Sequence, residues 1–125
     1  MIDPKIAEET KRFVEARDSY RADNPQVIGA FLDMKKEAFK PGGLDVATKY
    51  LMAVLMGVAR GSERCILTHV PTAVDAGVSR QQLMEALNVS IVFGGAPQYG
   101  YATYALDVYD SYVAREGTAN HDSQL

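Results

Sequence analysis

Gly61-Ser62-Glu63-Arg64-Cys65-Ile66-Leu67-Thr68-His69 holds the chain's one cysteine and the first of its two histidines. The stretch reads as a helix opening at Ser62, with Gly61 as the break before it. Cys65 and His69 are four residues apart, which on a helix puts both side chains on one face, about 5–6 Å apart at Cβ. A thiol in the first turn of a helix, with an imidazole one turn further on, is in a setting that favours the thiolate. Any chemistry this chain performs with its own side chains is expected here.

Working outward from this helix, every neighbouring segment also reads as helical. On the amino-terminal side, Asp45 caps a helix in which Ala47, Tyr50, Leu51, Val54, Leu55 and Val58 follow the i, i+3, i+4 rule. Met52, Ala53 and Met56 fill its other faces, so burial all round is expected. Before it, Asn24-Pro25 opens a helix carrying Val27, Ile28, Phe31, Leu32 and Phe39 that stops at Pro41-Gly42-Gly43. Asp3-Pro4 opens the first helix, marked by Ile6, Phe13, Val14 and Arg17. On the carboxyl-terminal side the histidine helix runs to about Ala76, with Gly77 as a left-handed cap. Ser79-Arg80-Gln81-Gln82 is a capping box that opens a fifth helix reaching Phe93. Gly94-Gly95 ends it and Pro97 opens a sixth, which is expected to fray into a flexible tail over residues 116–125. No segment alternates with period two for long enough to make a strand. The fold class is therefore all-α, a compact bundle of about six helices with short connections.

Bulk properties narrow the function classes. A chain of 125 residues with 47% apolar content fits one domain with a real core. A net charge of −3, with Lys and Arg scattered along the chain, gives no nucleic-acid footprint. One cysteine excludes an internal disulfide, and one cysteine with one usable histidine cannot build a zinc site. There is no glycine-rich nucleotide loop, so no cofactor is indicated. The amino terminus lacks an apolar signal core, and the longest apolar run, 50–59, is about half of a bilayer span. A soluble, cytoplasmic protein is expected.

Several of these segments also carry a family resemblance. Leu44-Asp45-Val46-Ala47-Thr48-Lys49-Tyr50-Leu51, Gly61 through His69, Ala76-Gly77-Val78-Ser79 and Phe93-Gly94-Gly95-Ala96-Pro97 resemble the carboxymuconolactone decarboxylase and alkylhydroperoxidase D-like superfamily, over roughly residues 26–112. The resemblance implies an all-helical subunit that assembles into trimers or hexamers. Its thiol branch has a glutamate, eleven residues, Cys-x-x-Cys, three residues and a histidine; those places hold Tyr50, Ser62, Cys65 and His69 here. Its decarboxylase branch keeps the histidine and carries a glutamate where Glu63 stands. Its Tyr-x-Gly-x-Pro segment is similar to 93–97, but its acidic residue at the place of Cys65 is missing. The chain departs from both patterns.

These departures have chemical consequences. A two-cysteine peroxidase resolves the sulfenic acid on one thiol with the other, and Ser62 cannot do so. Resolution then falls to an external thiol reductant or another subunit. Tyr50 can hydrogen-bond His69 but supplies no negative charge at neutral pH. Two enzymatic readings result. In the first, Cys65 is the nucleophile of a thiol-dependent peroxidase of antioxidant type, with His69 as proton acceptor and Tyr50, Ser62 and Glu63 in support. In the second, His69 is the general acid of a decarboxylase- or isomerase-like lyase on a small carboxylated lactone, with Arg64 or Arg60 as carboxylate anchor. A third reading is an oligomeric binding protein with a decayed site. Each residue also has a plainer role: Cys65 as a buried small side chain, His69 as a structural histidine, Ser62 as a cap, Glu63 as a dipole partner, Tyr50 as packing.

Pro71 falls inside the histidine helix, where it removes a donor and leaves the Leu67 carbonyl without its partner. The kink is either simply tolerated or opens a pocket beside His69. The tyrosines crowd one stretch, Tyr99, Tyr101, Tyr104, Tyr109 and Tyr112, more rings than one helix in so small a subunit can bury. Subunit contacts or a pocket wall are the expected places for the surplus, in keeping with a homo-oligomer.

Overall fold

The computed structural model describes residues 3–124, with side chains up to Glu116. Its elements are α1 (Pro4–Asp23), α2 (Pro25–Ala38), α3 (Val46–Ala59), α4 (Glu63–Asp75), α5 (Arg80–Gly94) and α6 (Ala96–Gln124), and no strand occurs among the described residues. The flexible tail expected over 116–125 concerns side chains outside the described residues; the backbone of α6 is helical to Gln124.

The helix starts follow the capping chemistry. The Asp45 side chain accepts the Thr48 amide at 2.7 Å, and Asp3 accepts that of Lys5 at 2.9 Å. At α5 both halves of the capping box form: Ser79 Oγ accepts the Gln82 amide at 3.0 Å, and Gln82 Oε1 accepts the Ser79 amide at 2.8 Å. Asn24 behaves differently from expectation. Its side chain makes no cap bond to α2; Nδ2 instead donates to the Tyr20 carbonyl at 3.2 Å, closing the end of α1. Pro25 already fills the first turn of α2 without an amide, so the asparagine has less to satisfy there.

The core belongs to α3–α6. Val54 and Val58 of α3, Ile66, Leu67, Val70 and Ala73 of α4, Leu83 and Leu87 of α5, and Ala102, Ala105 and Val108 of α6 are buried together. The small residues Ala102 and Ala105 keep α6 close to its neighbours, and the Arg80–Asp110 pair, at 2.8 and 3.1 Å, ties the start of α5 to it. α1 and α2 form a hairpin laid over this core, with Ile6 the buried anchor of α1 and no buried residue in α2.

One sequence expectation is corrected here. Within the chain α3 is not buried all round: Met52 is 41% and Met56 60% exposed. The tyrosines divide between bonds inside the chain and a cavity wall, the latter being one of the two places expected for the surplus: Tyr112 lines a cavity between α1, α4 and α6. Tyr104 donates to Glu9 (3.2 Å), Tyr109 to the Val78 carbonyl (3.0 Å) and Tyr112 to Asp75 (2.9 Å), while Tyr101 packs against Gly61. Only Tyr99 among these rings is left largely exposed. No helix among the described residues is long and apolar enough to cross a membrane.

Candidate functional site

α3 and α4 approach each other closely because Gly57 has no side chain. A Cβ placed on it would lie 2.9 Å from the Cβ of Cys65. The turn between the helices relies on Gly61, whose φ of +64° falls in the left-handed region that glycine tolerates. Ser62 then caps α4, accepting the amide of Cys65 at 3.3 Å. The thiol is thereby held in the first turn of α4, half-buried and unbridged.

One turn further on, half-buried His69 faces the same open cleft, of about 650 Å³, bounded by α1–α4. Burial holds its pKa below the usual imidazole value, and the positive charge of Lys35 adds to that. The ring is therefore neutral at pH 7. Its Nδ1 is buried without a hydrogen-bond partner among the described residues. A neutral imidazole with an uncommitted nitrogen can accept a proton, which is what a neighbouring thiol needs in order to react.

The rest of the cleft combines apolar and cationic surface. Ile28, Phe31 and Met56 supply apolar wall, and Arg17, Arg21, Lys35 and Arg60 bring positive charge, against a single acid, Asp18. Of the two arginines proposed as anchors, Arg60 lines this cleft and Arg64 does not; Arg64 sits over the Phe13 ring, 5.2 Å from its centroid. None of Arg17, Arg21 and Lys35 was expected at the site from the sequence, where Arg17 only marks the first helix. The spacing of Phe13, Arg17 and Arg21 along one face of α1 was the available signal, but nothing local says that α1 crosses α4.

The supporting residues stay apart from the cleft. Tyr50 packs on Phe39, ring centroids 4.7 Å apart and planes at 34°, and the Nδ1 of His69 receives no bond from it. Ser62 serves as the cap just described. Glu63 is exposed in the first turn of α4 and lines a separate surface hollow with Glu9, Arg12 and Arg64. Pro71 does not open the wall beside His69; α4 continues through it to Asp75, and the proline lines a neighbouring cavity toward α6. Among the described residues no group of three or more His, Cys, Asp or Glu side chains is placed to hold a metal ion.

The sequence profile of the Carboxymuconolactone decarboxylase family matches residues 25–107, which takes in α2, α3, α4 and α5 and the first part of α6. The chain belongs to the carboxymuconolactone decarboxylase family. It is 37% identical over 87 residues to an uncharacterised protein of Cupriavidus necator, an overlap of 70% of this chain and 77% of that one. It is also 37% identical over 81 residues to uncharacterised protein 4 in the cox locus of Paracoccus denitrificans, covering 65% and 73%. Among solved structures, the apo form of a family member from Legionella pneumophila superposes with a TM-score of 0.84 at 30% identity, covering 88% of this chain and 98% of the other. A family member from Thermotoga maritima, for which involvement in the antioxidative response has been suggested, superposes with a TM-score of 0.76 at 26% identity over 86% and 95%. The helical frame fits the family; the reaction is a separate question, since one fold hosts many chemistries.

Proposed function

We propose that this family member is a thiol-dependent peroxidase of antioxidant type that reduces an organic hydroperoxide through Cys65. The observation that carries the reading is that the only thiol and a neutral His69, with its Nδ1 uncommitted, line one cleft. His69 takes the thiol proton, and the thiolate attacks the distal oxygen of the hydroperoxide. The O–O bond breaks, Cys65 becomes a sulfenic acid, and the departing alkoxide takes the proton back from His69 and leaves as the alcohol. An external thiol then condenses with the sulfenic acid, releasing water, and a second equivalent of that thiol reduces the mixed disulfide. The apolar walls suit the organic part of the peroxide. The suggestion made for the Thermotoga maritima protein points the same way.

The lyase reading takes second place. It is favoured by Arg60 and the other cations of the cleft, which suit a carboxylate. A general acid, however, must hold a proton at working pH, and both influences on His69 disfavour the imidazolium.

The test is trapping of the sulfenic acid with dimedone after a stoichiometric dose of cumene hydroperoxide. The expected result is one adduct, on Cys65, with the rate of peroxide consumption reduced about 100-fold in His69→Asn, the size of a lost general base. A folded protein that consumes no peroxide and forms no adduct would overturn the proposal.

A further inference from the structure

Behind the cleft lies a second cavity of about 380 Å³, between α1, α4 and α6. It shares Phe13, Arg17, Lys35 and Thr68 with the first, so the two are adjoining chambers beneath the α1–α2 hairpin. Its volume falls within the range of small-molecule sites, about 300–1,000 Å³.

Two features of its wall are unusual. Ser111 of α6 is 2% exposed, and its Oγ has no hydrogen-bond partner among the described residues. Other hydroxyls on the helices of this chain turn back to a carbonyl one turn earlier: Thr10 to Ile6, Thr68 to Arg64, Thr72 to His69, Ser90 to Leu87 and Thr103 to Gly100. Ser111 gives up that bond while facing the cavity, although an unpaired buried hydroxyl is costly. On α4, Pro71 offers no amide to the Leu67 carbonyl, and both residues line the same cavity as Ser111. A donor-acceptor hydroxyl and a carbonyl short of its donor are what a ligand hydroxyl can satisfy together. At the exposed edge stand the cations Arg17 and Arg115, and Arg115 follows Ser111 by one turn on the same face of α6.

We propose that this chamber binds a small organic acid with a compact apolar body, its carboxylate on Arg115 and a hydroxyl at its far end bonded to Ser111. The proposal is independent of the peroxidase reading, since none of its polar contacts uses Cys65 or His69.

The test uses the full chain titrated with trans-4-hydroxycyclohexanecarboxylate and with cyclohexanecarboxylate, followed by calorimetry and by side-chain methyl NMR. Saturable shifts are expected at Val14 and Val108 of the second chamber, not at Ile28 and Met56 of the first. The hydroxy acid is expected to bind about tenfold more tightly than the plain acid, the size of one hydrogen bond. Ser111→Ala should abolish that advantage without lowering the melting temperature. Arg115→Gln should weaken both acids alike. An advantage that survives Ser111→Ala, shifts confined to Ile28 and Met56, or the absence of any saturable shift would each overturn the proposal.

Discussion

The tightest contact at the site is also the simplest to perturb. Gly57 of α3 and Gly29 of α2 are both glycines in helix interiors, so each loses about 1 kcal/mol of helix propensity relative to alanine. Their surroundings differ. A Cβ on Gly29 would meet nothing within 4 Å, whereas one on Gly57 would lie 2.9 Å from Cys65 Cβ and 3.4 Å from the Ile66 amide nitrogen. Overpacking of a well-packed contact costs about 1–3 kcal/mol. Gly29→Ala should therefore gain up to about 1 kcal/mol, while Gly57→Ala, with the same propensity gain, should lose about 0–2 kcal/mol. Chemical denaturation of the two variants beside the parent reads the difference directly, and thermal melts should separate them by several degrees. Relief of the clash in Gly57→Ala must move Cys65, so its rate of alkylation by iodoacetamide should change, while in Gly29→Ala it should not. Equal stabilisation by both alanines, with Cys65 reacting as before, would refute the close approach of α3 to α4.

Ser62→Ala should destabilise the fold by about 0.5–1 kcal/mol in urea, the low end for an N-cap because the bond to Cys65 is long at 3.3 Å. His69 gives a pH dependence of known sign. Its folded-state pKa lies below the unfolded value of about 6.5, so the unfolded chain takes up the proton first. Stability is then complete above that value and falls as pH drops through it toward the folded pKa; His69→Gln should flatten that part of a pH series of melts. Lys35→Gln removes one of the two influences on the ring, and the His69 pKa, followed by NMR through its own imidazole signals, should rise. No change in that value would mean that burial acts alone.

How much of this was legible in sequence depended on how local the signal was. Capping boxes, glycine breaks and the i, i+3, i+4 pattern are contained within a few residues, so the six helices and the shared face of Cys65 and His69 could be read directly. Asn24 shows the limit even there: one residue closes α1 and precedes α2, and the sequence does not say which helix its side chain serves. Tyr50 and Glu63 were placed by their positions in a pattern, yet the fold turns Tyr50 onto Phe39 and Glu63 to the surface. The cations that the hairpin brings to the cleft were missed for the complementary reason. Arg17, Arg21 and Lys35 lie on helices far from Cys65 in sequence, and only the crossing of the α1–α2 hairpin over α4 brings them to it.

The placement of Ser62 separates two parts of the proposed chemistry that the sequence pattern joins. Attack on a peroxide needs a thiol, a proton acceptor and room for the substrate, and Cys65, His69 and the cleft meet those needs without Ser62. Resolution needs a second sulfur, and the one position where the thiol branch would supply it holds a serine whose Oγ accepts the Cys65 amide. On the proposed chemistry, a serine at this position leaves the oxidising half-reaction available and requires the reducing half of a thiol from outside the chain. That thiol must reach Cys65 through the same cleft as the peroxide, between Arg60 and the hairpin cations. A reductant carrying negative charge, such as glutathione, should on this argument turn over the sulfenic acid faster than a neutral thiol of equal reactivity, and added salt should narrow the gap. Equal rates for the two thiols at low salt would show that the cations of the cleft play no part in resolution.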